Sequence, residues 1–171
     1  MRVFAVTTYD SPVGHLVRAK QWRLIGAAYA LGLLVANHIK EHATYDYLIP
    51  VPLHASRYAW RGYNQAHVMS EALSEQTGIA IGAFFKRVKR TRFQAGLSHD
   101  DRKHNLKQVF GPSLFFTTHD LKKMLSGKRV LLIDDVYTTG ATLQSFASFI
   151  RIFRPACIDA AVACRVVLDH K

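Results

Sequence analysis

An α/β domain built on a mostly parallel central sheet flanked by helices is the fold this sequence predicts, and three observations predict it. Strand-like apolar segments alternate with helical ones along the 171 residues, which is the pattern of βα units. One segment, Val130-Leu131-Leu132-Ile133, is apolar at every position rather than at every second one, as expected of a strand covered on both faces. That segment runs into two carboxylates, a hydroxyl-rich turn and a helix, the place where open α/β sheets bind their ligands.

The elements follow in order. Val3 to Thr7 is a short β-prone piece, and Asp10-Ser11-Pro12 is a helix-start signal. Val13 to Ile39 is helical in pattern, read as two helices meeting near Trp22. Tyr45 to Val51 is a buried strand ending in a loop between Pro50 and Pro52. His54 to Gly62 is basic, aromatic and without regular period, so an irregular segment is expected. Asn64 is placed to cap a helix through Val68, Met69, Ala72 and Leu73 that ends at Gly78. Phe84 to Val88 reads as a strand, Ser98 to Leu106 as a helix, and Ser113 to Thr117 as another β-prone piece. A short helix spans Asp120 to Leu125. After the strand at Arg129 to Ile133 comes a helix whose apolar stripe, Leu143, Phe146, Phe149, Ile150 and Phe153, faces a core, and Pro155 stops it. Cys157 to Val167 is the last strand.

Composition removes several classes. The length suits one domain, spanning 1–171. A hydrophobic content of 49% excludes disorder, and 10 Gly with 5 Pro exclude a collagen-like chain. Two cysteines, Cys157 and Cys164, exclude a disulfide scaffold and cannot supply a four-cysteine zinc site. The longest apolar run, Leu24 to Ala36, is shorter than the roughly 20 residues that span a bilayer. No signal-peptide pattern opens the sequence, so a cytoplasmic setting is expected. His38 and His42 share a helix face, but the string HIKEH is not the metal-binding HExxH and no metal site is expected. Against 12 acids stand 23 Lys and Arg, a net charge of +11, and such an excess points to an anionic partner.

The turn from Asp134 to Thr142 carries the chemistry. A helix N-terminus after a strand offers backbone N–H groups to a phosphate. Thr138, Thr139 and Thr142 add hydroxyls, and Gly140 lets the backbone approach closely. Asp134 and Asp135 accept hydrogen bonds from sugar hydroxyls or hold a hydrated Mg²⁺. Together they describe a pocket for a phosphorylated sugar. The apolar strand ending in acids also fits a Walker B strand, but the required G-x-x-x-x-G-K-[ST] loop is absent.

The string Asp134-Asp135-Val136-Tyr137-Thr138-Thr139-Gly140-Ala141-Thr142 resembles the ribose-phosphate signature of the type I phosphoribosyltransferases. The resemblance implies a three-layer fold of that type. It implies that Asp134 and Asp135, the candidate catalytic residues, hold the ribose hydroxyls of phosphoribosyl pyrophosphate (PRPP), bound with Mg²⁺. It further implies that Thr138, Thr139, Gly140, Ala141 and Thr142 cradle the 5-phosphate. In such enzymes the loop after the first strong strand binds pyrophosphate; here it offers Leu53, His54, Arg57 and Arg61, two of them planar guanidiniums suited to oxygen anions.

A wider pattern is Pro50-x-Pro52-Leu53-His54, Arg61-Gly62-Tyr63-Asn64-Gln65, Gln94-x-x-Leu97-Ser98, Arg102-x-x-Asn105-Leu106 and Phe110, then the Asp-Asp turn. It resembles the ComF family, phosphoribosyltransferase-like proteins many of which are tied to DNA uptake in natural competence. Members usually carry an N-terminal four-cysteine zinc ribbon; the expectation is either a short member lacking it or a sequence whose start has been lost or misassigned. Lys86 to Lys107 holds eight Lys and Arg and takes the position of the mobile flap found in type I transferases. Its Lys86, Arg87, Lys89, Arg90, Arg92 and Arg102, with Phe93 among them, suit single-stranded nucleic acid, in which cations track the backbone and a ring stacks a base. The expectation is a PRPP-binding protein that acts in DNA uptake, binds single-stranded DNA and meets proteins of the competence machinery. The alternative is an active nucleobase-salvage transferase. No general base or acceptor pocket is legible.

Overall fold

In the computed structural model, which describes residues 1–8, 11–19, 25–39, 44–88 and 109–166, the chain runs β1 (Val3–Thr8), α1 (Pro12–Ala19), α2 (Ile25–Ile39), β2 (Tyr47–Pro50), α3 (Ala55–Arg61), α4 (Gln65–Thr77), β3 (Ala80–Ile81), β4 (Phe85–Arg87), β5 (Phe110–Pro112), α5 (Thr118–Leu125), β6 (Arg129–Tyr137), α6 (Ala141–Ile150), a 3₁₀ turn (Arg151–Phe153) and β7 (Cys157–Arg165). The central sheet has the order β1-β7-β6-β2-β3 and every pairing in it is parallel. β4 and β5 form a separate antiparallel pair.

β6 lies in the middle of the sheet and is dry on both faces. Val130, Leu131, Leu132 and Ile133 are all fully buried. Val130 and Leu132 join a core with Leu121 and Leu125 of α5, Leu143 and Phe146 of α6, and Phe85 and Phe110 of the small pair. Leu131 and Ile133 face the other way, into a core with Leu31 and Val35 of α2 and Met69 and Leu73 of α4. Three layers result, as the sequence led us to expect.

Three local expectations need correction. His54 to Gly62 is not irregular: it contains α3, capped by His54, whose Nδ1 accepts from the Ser56 amide at 3.2 Å, and closed by Gly62 at φ 81°. No residue of α3 is buried, so it has no apolar period for a pattern search to detect. Ser113 to Thr117 is not a strand: β5 ends at Pro112, the Ser113 amide makes one last bond to the Phe84 carbonyl at 2.8 Å, and Leu114 and Phe115 form a turn that pairs with no strand among the described residues. α5 begins at Thr118, two residues before the expected start. Thr117 and Asp120 form a reciprocal cap, the Thr117 hydroxyl accepting from the Asp120 amide and the Asp120 carboxylate accepting from the Thr117 amide. The expected helix from Ser98 to Leu106 and the junction at Trp22 lie outside the described residues.

Gly32 marks the tightest helix contact. A Cβ there would lie 2.6 Å from the Met69 carbonyl and 2.7 Å from the Ala72 Cβ, so α2 and α4 approach closely only because this position is bare. Gly26, on the same helix, has nothing within 4 Å. Gly32→Val is expected to lower unfolding stability by roughly 1–3 kcal/mol, as overpacking does, whereas Gly26→Ala leaves it equal or slightly higher. Urea denaturation of both variants checks the pair; a harmless Gly32→Val contradicts the packing.

One buried charge ties the strand starts together. Asp159 of β7 is 2% exposed and accepts from the Arg2 amide at 2.7 Å, from Arg2 Nη2 at 2.8 Å and from the Tyr45 hydroxyl at 2.9 Å. Burial alone raises the Asp159 pKa, but these hydrogen bonds outweigh it and hold it at about 2. A depressed carboxylate contributes stability that is complete above its unfolded value, near 4, and lost as pH falls through 2. The wild type is therefore expected to lose roughly 2 kcal/mol between pH 4 and pH 2 that Asp159→Asn does not lose. Parallel pH profiles of the two proteins contradict this.

Candidate functional site

The site is built where β6 outruns its neighbour. β2 pairs with β6 from Tyr47↔Val130 to Pro50↔Ile133. The Val51 amide then donates to the Ile133 carbonyl at 2.9 Å, and Pro52, with no N–H, cannot continue the ladder. On its other side β6 stays paired with β7 through Asp134↔Val162, Val136↔Cys164 and Tyr137↔Arg165. Asp134 and Asp135 therefore sit on a strand held along one edge and released along the other, facing the loop that follows β2. Both are half-buried, and an Asp134 oxygen accepts from the Asp135 amide at 2.9 Å.

Beyond them the chain turns into α6. Gly140 occupies the N-cap at φ 74° and brings no side chain to the first-turn amides, so an oxygen anion there supplies what a Ser or Asp cap supplies elsewhere. Thr138, Thr139, Ala141 and Thr142 are exposed around it, and Thr139 Oγ1 accepts from the Ala141 amide at 3.4 Å. A Cβ on Gly140 would lie 2.3 Å from the Tyr137 hydroxyl. The Tyr137 ring thus floors the turn, and the Arg165 guanidinium lies 5.5 Å from that ring. Tyr137 and Arg165 were not singled out from the sequence; only their cross-strand pairing reveals this support.

The loop after β2 is fixed by its own hydrogen bonds. Asn64 donates from Nδ2 to the Val51 carbonyl at 3.1 Å and accepts at Oδ1 from the Ala66 amide at 3.1 Å, capping α4. One side chain thereby joins the exit of β2 to the start of α4 and closes the loop that holds Leu53, His54, Arg57 and Arg61. His54 spends its Nδ1 on the α3 cap. Arg61 lies 5.8 Å from the Trp60 ring.

Arg87 changes the picture of the cations. On β4, Phe85 is buried, Lys86 is exposed and Arg87 is half-buried, so Arg87 turns inward while Lys86 turns to solvent. The Phe85 ring packs 5.5 Å from Phe146, and Phe110 packs 4.7 Å from the same ring; Arg87 lies 5.7 Å from Phe110. A single parallel bridge joins Arg87 to His54, which sets β4 against the loop after β2. Burial lowers the Arg87 pKa, Arg57 lowers it further, and Asp134 raises it. Burial and then Arg57 also lower that of Arg61. Like charges gathered at the edge of a core beside one carboxylate are a setting that an anion would relieve. The sequence reading placed Arg87 with the nucleic-acid residues. The geometry brings it to Asp134, His54 and Arg57 and leaves Lys86 on the other side of the strand. Lys89, Arg90, Arg92, Phe93 and Arg102 lie outside the described residues.

Comparison with known proteins shows the family and the fold. The profile of the phosphoribosyl transferase domain covers residues 31–169. Competence protein F of Haemophilus influenzae is 42% identical over 105 residues, which is 61% of this chain and 43% of that protein. The DNA utilization protein YhgH of Salmonella typhi is 29% identical over 174 residues, covering 97% of this chain and 73% of the relative. Competence protein ComFC of Bacillus subtilis is 29% identical over 97 residues, 57% of this chain and 35% of its own length. The chain thus spans less than half of competence protein F. Among solved structures, the glutamine PRPP amidotransferase from B. subtilis superposes with a TM-score of 0.54 at 16% identity, over 79% of this chain and 25% of that one, which is a likeness of fold. The chain belongs to the phosphoribosyl transferase domain family and is a ComF-like member of it.

Proposed function

We propose that the protein binds PRPP with Mg²⁺ at the ends of β6 and β2 and serves DNA uptake from the cytoplasm, handling single-stranded DNA alongside proteins of the competence machinery. The observation that carries the PRPP reading is the meeting of three separate segments at one point: the Asp134–Thr142 turn, the loop bearing Arg57, and Arg87 on β4. The names of the relatives support the tie to DNA uptake, and the +11 charge supports an anionic polymer as a further partner.

In this reading the 5-phosphate lies against the amides and hydroxyls of residues 138–142, and the ribose hydroxyls donate to Asp134 and Asp135. The pyrophosphate lies between the loop after β2 and Arg87. The donor set fits Mg²⁺, which is held by one or two carboxylates together with substrate phosphates rather than by a full protein cage. The ion, when bound, neutralises and orients the pyrophosphate oxygens. As the pyrophosphate leaves, positive charge develops on the ribose and negative charge on the leaving group. Asp134 and Asp135 hold the ribose in place, while Arg57 and Arg87 stabilise the departing anion. Guanidiniums crowded before the ligand arrives gain most when that charge appears.

Calorimetric titration with two ligands separates these roles. Asp135→Asn is expected to weaken both PRPP and ribose 5-phosphate about ten- to a hundredfold, the cost of losing a charged hydrogen-bond acceptor. Arg57→Gln and Arg87→Gln are expected to weaken PRPP by a similar factor and to leave ribose 5-phosphate, which lacks pyrophosphate, nearly unchanged. Equal losses for both ligands in the arginine variants contradict the pyrophosphate assignment, and unchanged PRPP affinity in Asp135→Asn contradicts the site.

A further inference from the structure

α3 is a helix that lies on the surface. None of its seven residues is buried, yet it carries Tyr58, 53% exposed, and Trp60, 58% exposed. Two large rings held in water within three residues contribute nothing to a core, and a solvated helix is made as well from Ala, Glu and Lys. Two positions apart on an α-helix is about 200°, so the rings stand on opposite flanks. On the Tyr58 flank lies a groove of about 610 Å³, walled by Pro52, Leu53, Tyr63, Phe85 and Lys86. On the Trp60 flank the Arg61 guanidinium lies near the indole. Arg57 is on the same helix, and Lys86 points outward from β4 on the far wall of the groove.

We propose that α3 and this groove are a stacking platform for a single-stranded nucleic acid, one base entering against Tyr58 and another, further along a strand that crosses the helix, lying on Trp60. The polymer's phosphates run past Lys86 and Arg61. Rings interleaved with cations are what a single strand requires: every base has a face to stack, and the backbone needs only positive charge along its path. Tyr, Trp and Arg also anchor protein interfaces, but the charge decides between the two. The groove carries Lys86 and Arg87 against Glu71, and the chain bears +11, so the occupant is strongly anionic. The platform lies outside the stretch from Lys86 to Lys107 to which the sequence assigned nucleic acid, save for Lys86 and Arg87. It rests on the reading that the protein handles single-stranded DNA, and it names the surface that does so.

Fluorescence anisotropy with a labelled twenty-nucleotide oligo-dT tests it on the full chain. Tyr58→Ala and Trp60→Ala are each expected to weaken binding about five- to a hundredfold, the range of one lost stacking contact, with far-UV circular dichroism and PRPP affinity retained. Tyr58→Phe keeps the ring and is expected to keep the affinity. Phe115→Ala, a change at a still more exposed ring in the turn after β5, is expected to have no effect. Lys86→Gln is expected to flatten the log–log salt dependence by about 0.7, one phosphate contact on a single strand, while the ring variants keep the wild-type slope. If the wild type binds oligo-dT and both ring variants bind equally well, the platform is wrong and α3 is left as a surface for a protein partner. If the wild type does not bind oligo-dT at any salt, the DNA-handling reading itself fails, and the platform with it.

Discussion

Strand β6 must be dry on both faces and still end in charge, and most of the structure follows from that pair of demands. Four consecutive fully buried residues, Val130 to Ile133, contribute roughly 1.5–3 kcal/mol each when removed from water. That burial is realised only if one layer of helices covers each face. α2 and α4 supply one layer, close-packed across Gly32, and α5, α6 and the β4–β5 pair supply the other. With both faces closed, the polar groups can appear only at the strand's end. β2 leaves the ladder at Pro52 and frees that end on one side, while β7 holds it on the other. The same aromatic layer that covers β6 also fixes β4, and through β4 it sets Arg87 against the loop that bears Arg57.

The sequence made the central strand and its turn legible because both are local. Four apolar residues, two acids, three threonines and a glycine fall within positions 130–142, and no long-range contact is needed to see what they can do. The helix capped by Asn64 and ended by Gly78 was legible for the same reason. Other features depend on contacts the sequence does not display. α3 buries nothing, so no periodicity announces it. Arg87 looks like one of several cations in a basic stretch until the alternation along β4 separates it from Lys86. Asp159 looks like a polar interruption in a strand until Arg2, 157 residues away, and Tyr45 close around it. Tyr137 becomes a floor for the turn only once Gly140 is folded against it.

The charge excess divides by location. Arg87 interacts with both Arg57 and Asp134, and burial together with Arg57 disfavours the charged forms of Arg87 and Arg61, a crowding that a bound anion would relieve. Lys86 and Arg87 both line the groove beside α3, Lys86 exposed and Arg87 half-buried with Asp134 in electrostatic reach. In the proposed reading α3 serves both occupants, Arg57 the small anion and Tyr58 the polymer.

If three segments distant in sequence form one PRPP site, backbone amide chemical shifts on adding PRPP with Mg²⁺ will show it. Concerted shifts are expected, confined to residues 134–142, to the loop around Leu53–Arg57 and to Arg87, with the amides of Thr139 to Thr142 moving furthest and the Asp159 cluster at the other end of the sheet still. Shifts limited to the basic surface around Lys86, with residues 134–142 unmoved, would contradict it.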